Sequence, residues 1–451
     1  MTNRATDTKN DGTGYDVLNR LIEGWENEIV AAVQQSIRIP SVAGPPLPDA
    51  PNGTEVKEAL LQSLALAESM GFRTTNLDHW VGFAEYGQGL EMVAVLGHLD
   101  VVPAGDGWTV PPFTGTVIDG RLYGRGAVDD KGPILGALYA LKALKESGLP
   151  LKRRIRVIFG TDEETGCNDM VRYKLSEALP TAGFTPDGQY PAINAEKGIL
   201  TFRIRCNLGD QGTAWLQSAQ GGNATNTVPD QAYLHYLDED GMLQRLSCKG
   251  KTAHSSLPHL GQNALAMLVD EAQELKLEHE FKKAIGFIRE KIGFEINGKS
   301  LGIQFEDEAS GVLTCNLAML SYEAPWLSWT VDIRYPVTMD SEGLIETLQG
   351  QIQAAGYTME LLTHRKPLYI PLESPVLQKL GKAYSGQTQR PFKPIGIGGG
   401  TYAKSLPNIV AFGPVFPDEP ELCHLPDEYI SIKDLIKNIE IMAAALWELA
   451  Q

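Results

Sequence analysis

Apolar residues recur along this chain in two rhythms, and the switching between them predicts its architecture. Residues 54–70 place Val56, Leu60, Leu61, Leu64 and Ala67 on one helical face, with Gly71 as the stop. Residues 91–99, with the apolar run Met92 to Leu96, read as a buried strand that ends in Gly97-His98-Leu99-Asp100. Residues 154–160 read as another buried strand, which delivers Thr161-Asp162-Glu163-Glu164. Between them, Thr116-Val117-Ile118 and Arg121-Leu122-Tyr123 flank Asp119-Gly120, which predicts a hairpin on a type I′ turn. Asp129-Asp130-Lys131-Gly132-Pro133 then opens a helix through Leu144, with Pro133 in its first turn and Gly148 ending it. Helix and strand signals in alternation predict an α/β domain.

From about 199 to 365 the rhythm changes to amphipathic strands (199–208, 327–335) and helices (263–275, 342–355) with few candidate ligands. After Pro367 the first style returns: a helix over 376–384, a glycine turn, a strand over 409–412, then His424 and a terminal helix. Ser431 and Asp434 open that helix in a pattern close to a capping box. The simplest topology is one α/β domain in two parts, 1–198 and 367–451, interrupted by an inserted domain, 199–366.

Composition narrows the function. At 451 residues, 43% hydrophobic and 21% charged, the chain can build two cores. A net charge of −17 argues against nucleic acid or anionic lipid as partner, because both need a basic surface. No apolar run approaches the ~18 residues of a membrane span. The start, residues 1–14, is polar and lacks an apolar h-region, so a tail is expected there and no secretory signal. Five cysteines at 167, 206, 248, 315 and 423, without CxxC spacing, suggest reduced thiols and a cytoplasmic location.

The chemistry-bearing positions are His98, Asp100, Asp129, the pair Glu163-Glu164, Asp187 and His424. His98, Asp129, Glu164, Asp187 and His424 have the ligand types for two zinc-like ions sharing one carboxylate, with Glu163 left over as a base. His98 and Asp100, two apart at a strand end, share a face, so Asp100 is placed to fix the ring's tautomer. Two cations ~3.5–4 Å apart repel, and a bridging Asp129 offsets this. Neighbouring Glu163 and Glu164 on an extended run point apart, so one can bind metal while the other faces water. Each residue also has an ordinary reading: a satisfied strand-end histidine, an N-cap aspartate, a surface glutamate pair, a turn aspartate, a loop histidine. Cys167 and Cys423 sit beside the set as soft ligands or as small buried hydrophobes. His79, His235, His259, His279 and His364 are read as structural.

Three segments are similar to a known family. Gly97-His98-Leu99-Asp100-Val101-Val102-Pro103, Gly124-Arg125-Gly126-Ala127-Val128-Asp129-Asp130-Lys131-Gly132-Pro133 and Gly160-Thr161-Asp162-Glu163-Glu164-Thr165-Gly166 resemble the metallopeptidases that include carnosinase, aminoacylase, carboxypeptidase G and succinyl-diaminopimelate desuccinylase. Phe184-Thr185-Pro186-Asp187, Ala195-Glu196-Lys197-Gly198, Ala224-Thr225-Asn226-Thr227-Val228-Pro229-Asp230 and Gly311-Val312-Leu313-Thr314-Cys315-Asn316 resemble its dipeptidase V branch. The resemblance runs from roughly 90 to 430. It implies a zinc-peptidase-like α/β catalytic domain with a mixed central sheet, interrupted by an α+β lid domain.

By position, the resemblance implies one zinc on His98 and Asp187 and another on Glu164 and His424, bridged by Asp129. Mn2+ or Co2+ are possible substitutes. Glu163 would activate the water, Asp100 would orient His98, and the Asp129–Asp130 bond would be cis. His254 would stabilise the oxyanion. Asn226, Arg334 and the Gly398-Gly399-Gly400-Thr401 turn, Gly399 and Thr401 in particular, would hold the substrate. After Asp187 the chain reads Gly188-Gln189, where relatives carry a small residue and an acid. The expectation is a cytoplasmic dipeptidase acting on small unmodified peptides, β-alanyl ones included, with a monomer favoured over a homodimer. Its rivals are an N-acyl amino-acid deacylase or desuccinylase on the same machinery, and a non-catalytic peptide-binding protein.

Overall fold

Strand Met92–His98 is buried along its whole length, as an unbroken apolar run requires, and lies inside the sheet of the first of two units. The computed structural model describes residues 12–209, 214–276 and 279–451. Residues 1–11, most of the expected polar tail, and the side chain of His279 lie outside the described residues. Helix Gly12–Gly24 begins within the stretch 1–14 expected to be a tail. Leu18 and Ile22 of that helix are buried. Gly14 lets the Trp447 ring come where a Cβ would stand 2.3 Å away.

The first unit comprises the described residues up to Asn194 with Ile370–Ile395 and Thr401–Gln451. Its sheet runs in the order Arg73–Leu77, Val81–Tyr86, Arg154–Gly160, Met92–His98, Ala182–Thr185, Ile409–Ala411 and Ile193–Glu196. Met92–His98 is parallel to both Arg154–Gly160 and Ala182–Thr185, and Ala182–Thr185 is parallel to Ile409–Ala411, whereas the pairs towards either end of this order are antiparallel. The sheet is therefore mixed. In the parallel register His98 lies opposite Gly160, so the chains leaving these strands emerge at one edge, where open α/β sheets bind ligands. Helix Lys131–Ser147 is buried almost all round and packs with the terminal helix Ile432–Leu449. Burying a side chain such as Ile155, Phe159, Leu138 or Ile439 contributes about 1.5–3 kcal/mol each.

Local predictions match closely. The hairpin Thr116–Ile118 with Arg121–Tyr123 turns through Asp119 at φ 49° and Gly120 at φ 72°, the left-handed pair a type I′ turn needs. Ser431 caps the terminal helix by accepting the Asp434 N–H at 3.0 Å. The helix expected to open at Asp129 starts later, at Lys131.

The second unit comprises the described residues of Ala195–Tyr369 with Gly396–Gly400. Its seven strands run Leu243–Lys249, Gln231–Leu237, Leu216–Gly221, Thr314–Glu323, Trp326–Tyr335, Gly198–Asn207 and Thr358–Arg365, all antiparallel. Helices Ala264–Ala272, His279–Lys291 and Ser341–Ala354 pack against them around Phe202, Trp329 and Leu348. Trp329 meets Tyr357 edge to face at 5.3 Å. Among the described residues, no helix is long and apolar enough to cross a membrane.

Candidate metal centre

His98 ends its strand fully buried. Its Nδ1 faces the backbone carbonyl of Asp100 at 2.9 Å, with the Asp100 carboxylate farther off at 3.6 Å. That leaves Nε2 pointing at Asp129 Oδ1, 3.0 Å away. The Asp100 carboxylate also accepts the N–H groups of Glu163 at 3.3 Å and Glu164 at 3.1 Å. One residue thus steadies both the imidazole and the glutamate pair.

Glu163 and Glu164 do not continue the strand as an extended run. They sit in a turn, because Asp162 draws the chain round: its carbonyl accepts the N–H of Gly166 at 3.0 Å, and its carboxylate accepts that of Asn168 at 2.8 Å. Asp187 lies in the bend after strand Ala182–Thr185 and accepts the Tyr402 N–H at 3.4 Å. The Asp129–Asp130 peptide bond is cis. Asp130 does not cap the helix it precedes; its Oδ2 accepts the His98 N–H at 3.1 Å.

His424 closes the set from the far end of the chain. Its Nε2 stands 3.0 Å from Asp129 Oδ2 and 3.1 Å from Glu164 Oε1. Two groups result, His98–Asp129–Asp187 and Asp129–Glu164–His424, each with its ligand atoms within 4.8 Å of one another, and Asp129 belongs to both. No cysteine enters either group.

So many carboxylates in a dry place perturb one another. Burial, then the Asp129 carboxylate, pushes Asp187 up to about 7. Burial, then Asp187, holds Glu163 well above the usual carboxylate range. Burial raises Asp129 too, but the His424 and His98 rings outweigh it and hold it low. His424 is lifted to about 10 by Asp129 and Glu164. Burial works against the charged form of His98, yet Asp100 and Asp129 overcome it and raise the ring well above its usual value. The donor set is two imidazoles and three carboxylates, which suits Zn2+, with Mn2+ or Co2+ tolerated.

The remaining expected residues lie mostly in the second unit. Thr227 and His254 pair in a short ribbon, and the Asn226 carbonyl accepts the Ser255 N–H at 2.9 Å. Asn226 and His254 are exposed. Arg334 is buried, with Nε on Asp332 at 2.7 Å and Nη2 on Ser255 Oγ at 3.2 Å. In the glycine turn the tight position is Gly398, where a Cβ would fall 2.5 Å from Ser256 Cβ; at Gly399 it would meet nothing closer than 3.9 Å. Thr401, in the first unit, caps the short helix Tyr402–Ser405. His79, His235 and His364 each have a local partner: Asn76, Ser218 and Tyr335.

Sequence reasoning missed Tyr402 and Asp169. The Tyr402 hydroxyl donates to the Asp169 carboxylate, which also accepts the N–H groups of Thr161 at 2.7 Å and Asp162 at 3.2 Å. The Tyr402 ring lies edge-on to His98 at 6.0 Å. Asp169 follows the glutamate motif closely, but an acid in the first turn of a helix has an ordinary explanation.

Comparison with known proteins finds relatives of the whole chain. The model of peptidase family M20/M25/M40 matches residues 94–448. The chain is 38% identical to "Putative dipeptidase YtjP" of Bacillus subtilis (strain 168), over 95% of this chain and 100% of that protein. It is 34% identical to "Putative dipeptidase SH1171" of Staphylococcus haemolyticus (strain JCSC1435), over 95% and 98%. Human carnosine dipeptidase 1 shares the fold at a TM-score of 0.61 and 16% identity, covering 97% of this chain and 99% of that one. A metallo-carboxypeptidase of Sulfolobus solfataricus does so at 0.59 and 17%, covering 94% and 99%.

Proposed function

The chain belongs to peptidase family M20/M25/M40, and on that premise we propose that it is a zinc-dependent dipeptidase with a dinuclear centre, cleaving unmodified dipeptides. The observation that carries this reading is Asp129 shared between two ligand groups, with the Glu163 carboxyl raised nearby. Relatives named as dipeptidases support the substrate class.

His98 and Asp187 would hold one cation, Glu164 and His424 the other, with Asp129 common to both. Bound divalent cations supply Lewis acidity towards the scissile carbonyl and lower the pKa of water towards ~7. Glu163 takes the proton of the attacking water on its carboxylate and passes it to the departing amine nitrogen. Its raised basicity suits that exchange. Asp100 holds the Glu163 backbone through its N–H, which fixes the point of the chain from which that side chain departs.

His254 would donate to the developing oxyanion. The Ser256 N–H points at its Nδ1 from 3.2 Å, which makes Nδ1 the acceptor and leaves Nε2–H as the donor. Although the residue is exposed, partial desolvation of its ring, then Arg334, lowers its pKa and favours that neutral form. Such a donor is typically worth about 2.7–4 kcal/mol. Arg334 and Asn226 would grip the substrate's carboxylate, with Gly399 and Thr401 supplying backbone contacts. The enzyme would work in the cytoplasm as a monomer, on small peptides and on neither nucleic acid nor membrane; five free cysteines support the compartment, and the charge of −17 the exclusion of those two partners.

A dipeptide panel, assayed with metal content on the same sample, tests the proposal. Free dipeptides should be hydrolysed and N-acetyl amino acids should not; the reverse preference would make the enzyme a deacylase. Glu163→Ala should keep two equivalents of zinc and lose nearly all turnover. Near-normal kcat in that variant would remove Glu163 from the base role.

A further inference from the structure

Glu428 belongs to neither ligand group, yet it is fully buried and holds the loop that carries Asp129. Its Oε1 accepts three backbone N–H groups, from Gly126 at 3.1 Å, Val128 at 2.9 Å and Asp129 at 3.3 Å. Its Oε2 receives Nη1 of Arg125 at 2.6 Å, and its own carbonyl accepts the Gly124 N–H at 2.9 Å. Arg125 is itself buried. It reaches the carbonyls of Leu425 and Ala104, both at 3.4 Å, and lies over the Trp108 ring at 5.3 Å.

These contacts join two segments that have no sequence proximity. Residues 124–129 end in Asp129, and residues 425–428 begin directly after His424. A carboxylate gripped by convergent backbone N–H groups and a guanidinium sets the position of both chains more tightly than neutral partners would. Burial pushes the Glu428 carboxyl up to about 7, against the pull of the Val128 N–H and Arg125.

We propose that Glu428, paired with Arg125, is a positioning residue that sets the separation of Asp129 and His424 and thereby the affinity of the cation site they share with Glu164. This rests on the reading of Asp129 and His424 as metal ligands. Residues that orient ligands from behind typically change metal affinity by ~10–100-fold when lost. The effect should be larger at the His424 site, because Glu428 ties the loop of the shared Asp129 to the segment that follows His424 and makes no contact with His98 or Asp187 in the bonds above.

The test is a Zn2+ titration of the full-length apo chain by chelator competition, with thermal unfolding of each apo protein alongside. The unaltered chain should take up two equivalents; uptake of none would sink the ligand reading itself before any variant is made. Glu428→Gln should weaken one site by ~10–100-fold and the other by clearly less, with the dipeptide KM at saturating zinc unchanged. A loss of thermal stability with both affinities intact would make Glu428 merely structural and overturn the proposal. If the unpaired Arg125 prevents folding, Arg125→Met with Glu428→Gln removes both charges and gives the same readout. Hydrogen exchange on the unaltered apo chain needs no substitution: the N–H groups of Gly126, Val128 and Asp129 should exchange as slowly as the central strands. Exchange at open-loop rates would overturn the proposal equally.

Discussion

His424 Nε2 lies 3.0 Å from Oδ2 of Asp129, although the two residues come from opposite ends of the catalytic sequence. The other oxygen of the same carboxylate faces His98 at 3.0 Å. One side chain therefore presents a lone pair to each of two ligand groups, and this asymmetry of roles makes the site testable.

Removing Asp129 and removing His424 should have different consequences. Asp129→Ala should abolish uptake of both cations, while His424→Ala should leave one. Turnover should fall at least about a hundredfold in either, since a Lewis acid contributes several kcal/mol and each 1.36 kcal/mol is tenfold in rate. Metal analysis after dialysis, with a dipeptide assay, decides it. Two bound equivalents in Asp129→Ala would rule out the shared carboxylate.

Tyr402→Phe keeps the ring beside His98 and deletes the hydroxyl that reaches Asp169. The buried carboxylate would keep the N–H groups of Thr161, Asp162 and Met170 but lose one donor. A stability loss of about 1–3 kcal/mol is expected in urea unfolding. Turnover should fall far less than in Glu163→Ala, because no group that touches substrate is removed. An unchanged urea midpoint would mean the bond contributes nothing.

Alkaline pH should weaken the second unit through its buried thiols. Burial is the main cause raising Cys315 to about 12, against an ordinary value of 9.0. The folded state therefore holds the thiol proton more tightly than the unfolded chain does. That contribution is complete below pH about 9 and is lost as pH rises towards 12, at up to about 1.4 kcal/mol per unit. Cys315→Ala should make the decline in unfolding free energy between pH 9 and 10.5 visibly shallower. Equal slopes in the two proteins would show that the thiol ionises freely.

Gly14→Ala probes the docking of the first helix. The new Cβ would lie 2.3 Å from the Trp447 ring, so helix or ring must shift. Overpacking of this kind costs about 1–3 kcal/mol and should appear as a lower Tm, with kcat at 25 °C unaltered. A Tm equal to that of the unaltered chain would mean the first helix is not seated on Trp447.

Periodicity was enough to locate the elements that position the site: the strand ending at His98, the strand ending at Gly160, the hairpin at Asp119-Gly120 and the helix capped by Ser431. These depend on interactions between near neighbours in the chain, and short-range chemistry is written in short-range sequence. The residue types that meet at the site were legible only as a set, since each stands in a local motif that also has an ordinary reading.

Other features came from the fold. The dual role of Asp100, the Tyr402–Asp169 bond and the Glu428 cradle all join residues far apart in sequence. Nothing in Pro426-Asp427-Glu428 by itself distinguishes a loop acid from one that holds the backbone of residues 126–129. That distinction exists only once three strand ends and a returning chain are brought to one edge of the sheet. There, burial strips water from the carboxylates and leaves them only one another, the imidazoles and the backbone to bind.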